Sequence, residues 1–458
     1  MKKIVIFILV AVIVAAALPV IGNKIVESSL EDRLATLDSF GLEVSKAQTD
    51  SSYLSTKKHF EFLLSDSEKF IAYLNQYSDQ QIPPYVNAMF NGVVIGADVE
   101  YSNFPMSKDL TVDIYPLALS KSMMHDIKKE DLDFYNYLEK FLHSKGFLYH
   151  INYNIMSEDF DGYVKDITEN YTLKDGTDVT LELLNATYSG NGDLIAPNSL
   201  DSDMEKIQLT LNNTKTKLTF LLDAFSSSSS FESQSTYITS GDLKNLKLIV
   251  NTTDEDISFN VNDIKVNFSS NTQGDKAEIN GRSSFKDLSV KSNKIDLVMK
   301  NLIYDMAING LDKDSLEELR VVTSQTNTAS PELLQEEIQN AAIKLISHGL
   351  ELDIAQFSLE NAILNQKENL EGFNVKTKLN IKEDKDLAQK IQTSPFLVAN
   401  NIEMTINVKL SKQLYAKLNN DLPMTAMANN YAKNDGNDVL FDITFANGEL
   451  RMNGQALR

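Results

Sequence analysis

Five histidines, His59, His125, His143, His150 and His348, are the whole supply of imidazole in a chain that has no cysteine. Thiol catalysis, disulfides and zinc–thiolate centres are therefore excluded. His143 and His150 are seven apart and would share a helix face only if the helix ran through Gly146, so no histidine-rich metal site is expected. His348, just before Gly349, reads as a helix C-terminal residue favoured by the macrodipole. The sequence holds no nucleophile elbow, phosphate-binding loop, dinucleotide fingerprint or His-Glu-x-x-His. Acidic runs are more plentiful: Asp131-x-Asp133, Asp254-Glu255-Asp256 and Asp435-Gly436-Asn437-Asp438. Their oxygens suit a hard cation such as Ca²⁺, but they lack the spacing and terminal Glu of an EF-hand. In a chain with 64 acidic residues they are expected as solvated turns. Glycoside hydrolysis needs two carboxylates across a sugar-sized cleft. The acids here mostly fill the polar phase of strands. No catalytic, cofactor-binding or metal-ligating residue is assigned, no cofactor is implied, and the balance is against an enzyme.

The elements that must carry any site are strands. Period-two alternation is the dominant signal, most clearly in Ile402, Met404, Ile406, Val408 and Leu410 with polar residues between them. Ile207 to Leu211, Leu302 to Ile308 and Val375 to Ile381 repeat it. Apolar positions are odd in Ile257, Phe259 and Val261 but even in Ile264, Val266 and Phe268. That change of phase predicts a turn or bulge at Asn262-Asp263. Asn-Gly pairs at 91, 280, 309, 447 and 453 punctuate the pattern, and Asn447-Gly448 is the best hairpin, of type I′. Residues from about 205 to 310 read as an antiparallel meander. Helices are expected from Ser330 as N-cap with Pro331 at its first position to Gly349, in a shorter helix just before it opened by a capping box Asp314-x-x-Glu317, over Asp131 to His143, and after a Ser411 cap. Pro423 breaks or restarts that last helix before Met424 to Lys433, and Ser226 to Ser230 reads as a loop or solvated strand edge. The fold class is α+β and mainly antiparallel β, an extended meander-type sheet with packed helices behind one N-terminal transmembrane helix.

That helix is read from Ile4 to Ile21, eighteen residues without a charge after Met1-Lys2-Lys3. Eighteen helical residues rise about 27 Å, close to the roughly 30 Å of a bilayer's hydrocarbon. A signal peptide cut after Ala15-Ala16-Ala17 is the competing reading. The apolar run continues through Leu18, Val20 and Ile21, and Val26, Leu30, Leu34 and Leu37 prolong a helical pattern beyond it, which favours a retained anchor. The two lysines favour a cytoplasmic N-terminus. The resulting division is 1–22 as anchor or uncleaved signal segment, 23–200 as the N-terminal part of the exported body, and 201–458 as a strand-rich C-terminal part with helical insertions. A formal net charge of −21 argues against nucleic acid as a partner, because that affinity comes from neutralised phosphates.

The order of these features resembles the YdgA-like family of bacterial envelope proteins, a domain of unknown function. An apolar N-terminal segment leads into Gly22-Asn23-Lys24-Ile25 and an amphipathic helix. Asp98 to Pro105 is similar to a family segment ending in Phe-Pro, with Ser102-Asn103 standing where His-Gly is expected. The run from Phe441 to Gly454 is similar to the family's closing strand, Asn-Gly turn and strand. The resemblance implies a single-pass protein of the bacterial inner membrane with its bulk in the periplasm, and transfers no catalytic residue. The function expected is a non-enzymatic envelope binding or assembly protein, with lipid in a β groove or an envelope protein as partner. The alternative is a periplasmic hydrolase using an acidic pair.

Overall fold

The computed structural model describes residues 41–75, 90–103, 109–194, 196–233, 235–324, 331–366, 368–421 and 428–457. The expected anchor at 1–22, the amphipathic stretch after it, Phe104-Pro105, Ser330 and residues 423–427 lie outside them. Among the described residues no helix is long and apolar enough to cross a membrane. The chain is mainly antiparallel sheet with a few helices, as the alternation requires. Its contacts define two units. One runs to Leu218 and also takes Asp223–Ser230; the other takes Thr219–Leu222 and Phe231–Arg458.

In the first unit β1 (Leu42–Ser51), β2 (Ser55–Leu64), β3 (Val94–Ser102), β4 (Asp109–Ala118), β5 (Tyr149–Asn154) and β6 (Asp159–Val164) pair in chain order, each antiparallel to the next. β7 (Ile167–Thr172), β8 (Asp178–Leu184), β9 (Ala186–Gly192) and β10 (Pro197–Asn212) continue the sheet. β9 pairs β6, β10 pairs β9 and then β8, and β8 pairs β7. Alternation puts Phe62, Ile95 and Ile114 on one side, Phe62 opposite Ile95 and Ile114 opposite Ala97, and all three are fully buried. α1 (Ser67–Asn75) adds Phe70, whose ring lies 6.3 Å from that of Phe90. α2 (Lys121–Glu130) starts at Ser120, whose hydroxyl accepts from the Met123 N–H at 3.3 Å. α3 (Leu132–His143) starts at Asp131, whose carboxylate accepts from the Phe134 N–H at 3.1 Å, and it buries Phe134, Leu138, Phe141 and Leu142. It ends at His143, short of Gly146. β11 (Thr216–Ser233) contributes residues to both units and contains the serine run, which is therefore strand and not loop. Serines alternate as readily as any small residue when the neighbouring positions hold a strand.

The second unit is a meander of long strands: β12 (Thr236–Thr252), β13 (Asp256–Gln273), β14 (Lys276–Lys291), β15 (Asp296–Asp312), β16 (Leu350–Leu364), β17 (Glu368–Ile381) and β18 (Ile402–Ser411), each antiparallel to the next. β19 (Lys433–Asp435), β20 (Asp438–Ala446), β21 (Glu449–Met452) and β22 (Gln455–Ala456) follow, with β20 paired to β18 on one edge and to β19 and β21 on the other. α4 (Lys313–Ser324) and α5 (Pro331–Ser347) link β15 to β16. α6 (Leu387–Thr393) precedes β18, and α7 (Lys412–Asp421) follows it. Ser411 caps α7 as expected, accepting from the Leu414 N–H at 3.1 Å. The α4 cap is Asp312 and not Asp314: its carboxylate takes the Ser315 N–H at 2.9 Å and hydroxyl at 2.6 Å, because β15 ends only there.

Asn447-Gly448 joins β20 to β21 with φ of 52° and 73°, the two positive values a type I′ turn needs. Asn91-Gly92 and Asn453-Gly454 are turns as well. Asn280-Gly281 and Asn309-Gly310 are not; they lie inside β14 and β15. Asn-Gly makes a hairpin only when its two flanks can pair with each other. Here Gly281 stands between Phe268 and Met306 of the neighbouring strands, so the chain runs straight on.

The phase change at Asn262-Asp263 is a bulge within an unbroken β13. Asp263 adopts φ 48°, and pairing skips it on both edges, from Asn262 to Ile264. The skip crosses the sheet as a seam: Lys286 in β14, Asn301 (φ 49°) in β15, Glu360 in β16 and Gly372 in β17. Its members bind one another, Lys286 to Asp263 at 3.4 Å and the Asn301 amide to the Glu360 carboxylate. At Gly372 a Cβ would fall 1.8 Å from the Leu359 carbonyl oxygen, so only glycine fits. One extra residue in each of β12 to β17 resets the alternation in those strands at one level of the sheet.

Candidate functional site

Register and alternation together give the second unit's sheet one apolar and one polar side. Beyond the seam Leu246, Val261, Leu288, Met299, Ala362 and Leu370 form one row, and Leu248, Phe259, Val290, Leu297 and Leu364 the next. Before the seam Val266, Ser283, Tyr304, Phe357, Val375, Val408 and Phe441 are in line, followed by rows through Met306 and Ile308. The opposite side carries Asn245, Asn262, Asp287, Lys300, Asn361 and Glu371 beyond the seam, and Asp242 with Lys265 before it.

Helices cover only parts of the apolar side. α4 and α5 close one end, where Ala277, Leu311 and Leu345 are buried with Ile279, Ile308, Leu316 and Leu319 against them. α7 brings Tyr415 to 5.6 Å from the Phe441 ring. Elsewhere the side stays open: Leu248 is 37%, Phe357 38% and Val266 43% exposed. Large contiguous apolar exposure is uncommon on soluble surfaces and marks a place where something binds.

A second feature lies on the polar side of the first unit. His59, Asp98, Asp113, His150 and Tyr163 stand in register across β2, β3, β4, β5 and β6. His59 Nδ1 is 2.6 Å from Asp98 Oδ1, and His150 Nδ1 is 2.8 Å from Asp113 Oδ1. Two carboxylates directly opposite on neighbouring strands repel. Lys145 stands against that repulsion, with Nζ 2.5 Å from Asp98 and 3.9 Å from Asp113, and its ammonium 4.3 Å from the Tyr115 ring centroid. Tyr115 donates to Asp98 at 2.9 Å, and the His150 ring stacks on Tyr163 at 4.7 Å. The row borders a basin of about 800 Å³ that also meets Lys57, Glu100 and Thr111. Burial pushes the Asp98 carboxyl up, but the donors Lys145, His59 and Tyr115 outweigh it and hold it below the usual carboxylate range. Burial and the Asp98 charge push the Tyr115 phenol well up, so it stays a donor. A carboxylate so engaged accepts hydrogen bonds and does not act as a general acid.

The remaining singled-out residues are dispersed. His125 is exposed on α2, and His143 contacts its own helix through the Glu139 carbonyl at 2.7 Å. His348 follows α5, with Nδ1 3.6 Å from Asp312. Asp131 is a buried cap, Asp254 and Glu255 lie in the β12–β13 turn with Asp256 opening β13, and Asp438 pairs with Lys409 at 2.7 Å. Among the described residues no group of three His, Asp or Glu side chains is placed to hold a metal ion. The sequence did not suggest the Asp98–Lys145–Asp113 bridge. The only sequence signal of the row is that its five strand members occupy solvent-facing phases, and that says nothing about register.

Residues 164–458 match a family described as a bacterial protein of unknown function, DUF945. The chain belongs to that family. No curated protein and no solved structure matches it. The matched residues include the whole second unit after β11, with its open apolar side, while the charged row lies wholly before them.

Proposed function

We propose that this is a non-enzymatic, membrane-anchored periplasmic protein of the bacterial envelope that accommodates lipid acyl chains on the apolar side of its second unit. The observation that carries the reading is the open apolar side itself. Rows of Leu, Val, Ile, Phe and Met run across five or more strands; Val261, Ala362 and Phe441 in them are buried, but Leu248, Val266 and Phe357 remain more than a third exposed. Leaving such a surface in water is costly at about 25 cal/mol per Å², and an acyl chain would relieve that cost without any polar contact. The Ile4 to Ile21 segment supports the anchor, and its two preceding lysines the periplasmic orientation. The resemblance to YdgA-like envelope proteins points the same way. The hydrolase alternative needs an acid kept protonated beside a carboxylate. Asp98 is held ionised, which weighs against its serving as that acid.

The test is mass spectrometry of the full chain extracted gently from its own membrane, alongside Leu248→Asp/Val266→Asp. Both positions are exposed, so the double variant is expected to fold. Lipid retained at near-stoichiometric amounts by the parent and lost from the variant is the expected result. Equal lipid on both would assign it to another part of the chain and end the reading.

A further inference from the structure

Resting on that reading, we infer that the apolar side binds lipids by their acyl chains and does not discriminate among headgroups. The inference comes from where the charges are. Reading the rows across β12 to β18, Glu368 is the one carboxylate on the apolar side among the paired residues, at the end of its row, and no histidine stands there. No lysine or arginine stands in those rows to meet a phosphate or carboxylate. The cations of these strands lie outside those rows, and several are matched across strands: Lys265 to Asp242 at 3.3 Å, Arg282 to Asp305 at 3.7 Å, Lys378 to Asp353 at 3.3 Å. Selective headgroup binding rests on charge-assisted or bidentate bonds; the rows offer none, and Lys417 of α7, at their edge, is already engaged by Glu368 at 3.7 Å.

Size agrees with an occupant held by its chain. A strand of eighteen residues such as β13 spans about 60 Å at roughly 3.3 Å per residue. One leaflet's acyl chain fills about half of the roughly 30 Å bilayer hydrocarbon. The side is therefore longer than one chain needs, and position along it is set by apolar contact alone. Affinity should then rise with chain length, by up to about fourfold per buried methylene.

The experiment uses the full chain, delipidated in a non-ionic detergent, and an equimolar mixture of dipalmitoyl phosphatidylethanolamine, phosphatidylglycerol and diacylglycerol. Retained lipid is quantified by mass spectrometry for the parent, for Leu248→Asp/Val266→Asp, and for Ser289→Asp on the polar side. The part of retention that the double variant loses belongs to the apolar side. Within that part the three lipids are expected to agree within about twofold, while dilauroyl versions fall by at least about tenfold. Ser289→Asp should match the parent. A tenfold preference for one headgroup would overturn this inference and leave the acyl-binding reading standing. Equal retention by parent and double variant, or a lipid-free dimer of the parent, would overturn both.

Discussion

The same alternating pattern ends in two different environments. In β2, β3 and β4 it produces a sealed core, with Phe62, Ile95 and Ile114 wholly buried. In β12 and β13 it produces a side on which Leu248 and Val266 remain more than a third exposed. Both stretches alternate; what differs is the cover. The lesson is that period two specifies which residues share a side, whereas the covering layer decides whether that side is a core or a surface.

Truncation should expose this contrast most strongly. Phe62→Ala is expected to cost about 3–5 kcal/mol, the usual range for a buried phenylalanine. Phe259→Ala, on the half-buried apolar side, should cost only about 1 kcal/mol, because much of its surface is already in water. Chemical denaturation of the two full-length variants checks it. Equal losses would mean that the second unit's apolar side is covered in solution, and the comparison of core with surface would collapse.

The seam gives the next effect in size. Asp263 holds φ 48°, a conformation that a β-branched residue resists. Asp263→Val should destabilise by about 1–3 kcal/mol, and Asp263→Gly should be close to neutral, since glycine regains in backbone ease what the Lys286 ion pair gives up. If both substitutions cost the same, the ion pair and not the backbone holds the bulge. Spectroscopy at the β13 level would then be expected to show slipped pairing in neither.

This bulge was legible in the sequence, because Val261 and Ile264 fall in opposite phases. So were the Asn447-Gly448 hairpin, the Ser411 cap and the antiparallel meander, all set by residues within a few positions of one another. Asn280-Gly281 misled because its meaning depends on which distant strands lie alongside. A longer regularity was also hidden. Asn185, Ala224, Asp263 and Asn301 all take φ near 50° and recur at nearly constant spacing, yet only their backbone is alike. Ala224 carries none of the side-chain signals of a left-handed residue, so no motif search would join the four. The charged row was hidden for the same reason as register: His59 and His150 are brought to Asp98 and Asp113 by pairing over long separations.

The smallest effects separate the two sets of charges. Asp98 is engaged by His59, Lys145 and Tyr115, whereas Asp242 has one exposed partner, Lys265 at 3.3 Å. Asp98→Asn should cost about 1 kcal/mol, discounted for the solvent that still reaches it, and Asp242→Asn close to nothing. The acid dependence follows from the direction of the shift. A carboxyl held below its ordinary value lends stability that is complete above the unfolded range near pH 4 and fades as pH drops through the lower folded value. Denaturation midpoints of the parent should therefore fall on acidification below about pH 4, and part of that fall should be missing in Asp98→Asn. Because Lys145 carries the Asp98 bond from the segment just after α3, the missing part should be visible in amide exchange at the end of that helix. An unchanged acid profile in Asp98→Asn would mean that the row is a solvated polar surface like that around Asp242, and the two units would then differ in their apolar sides alone.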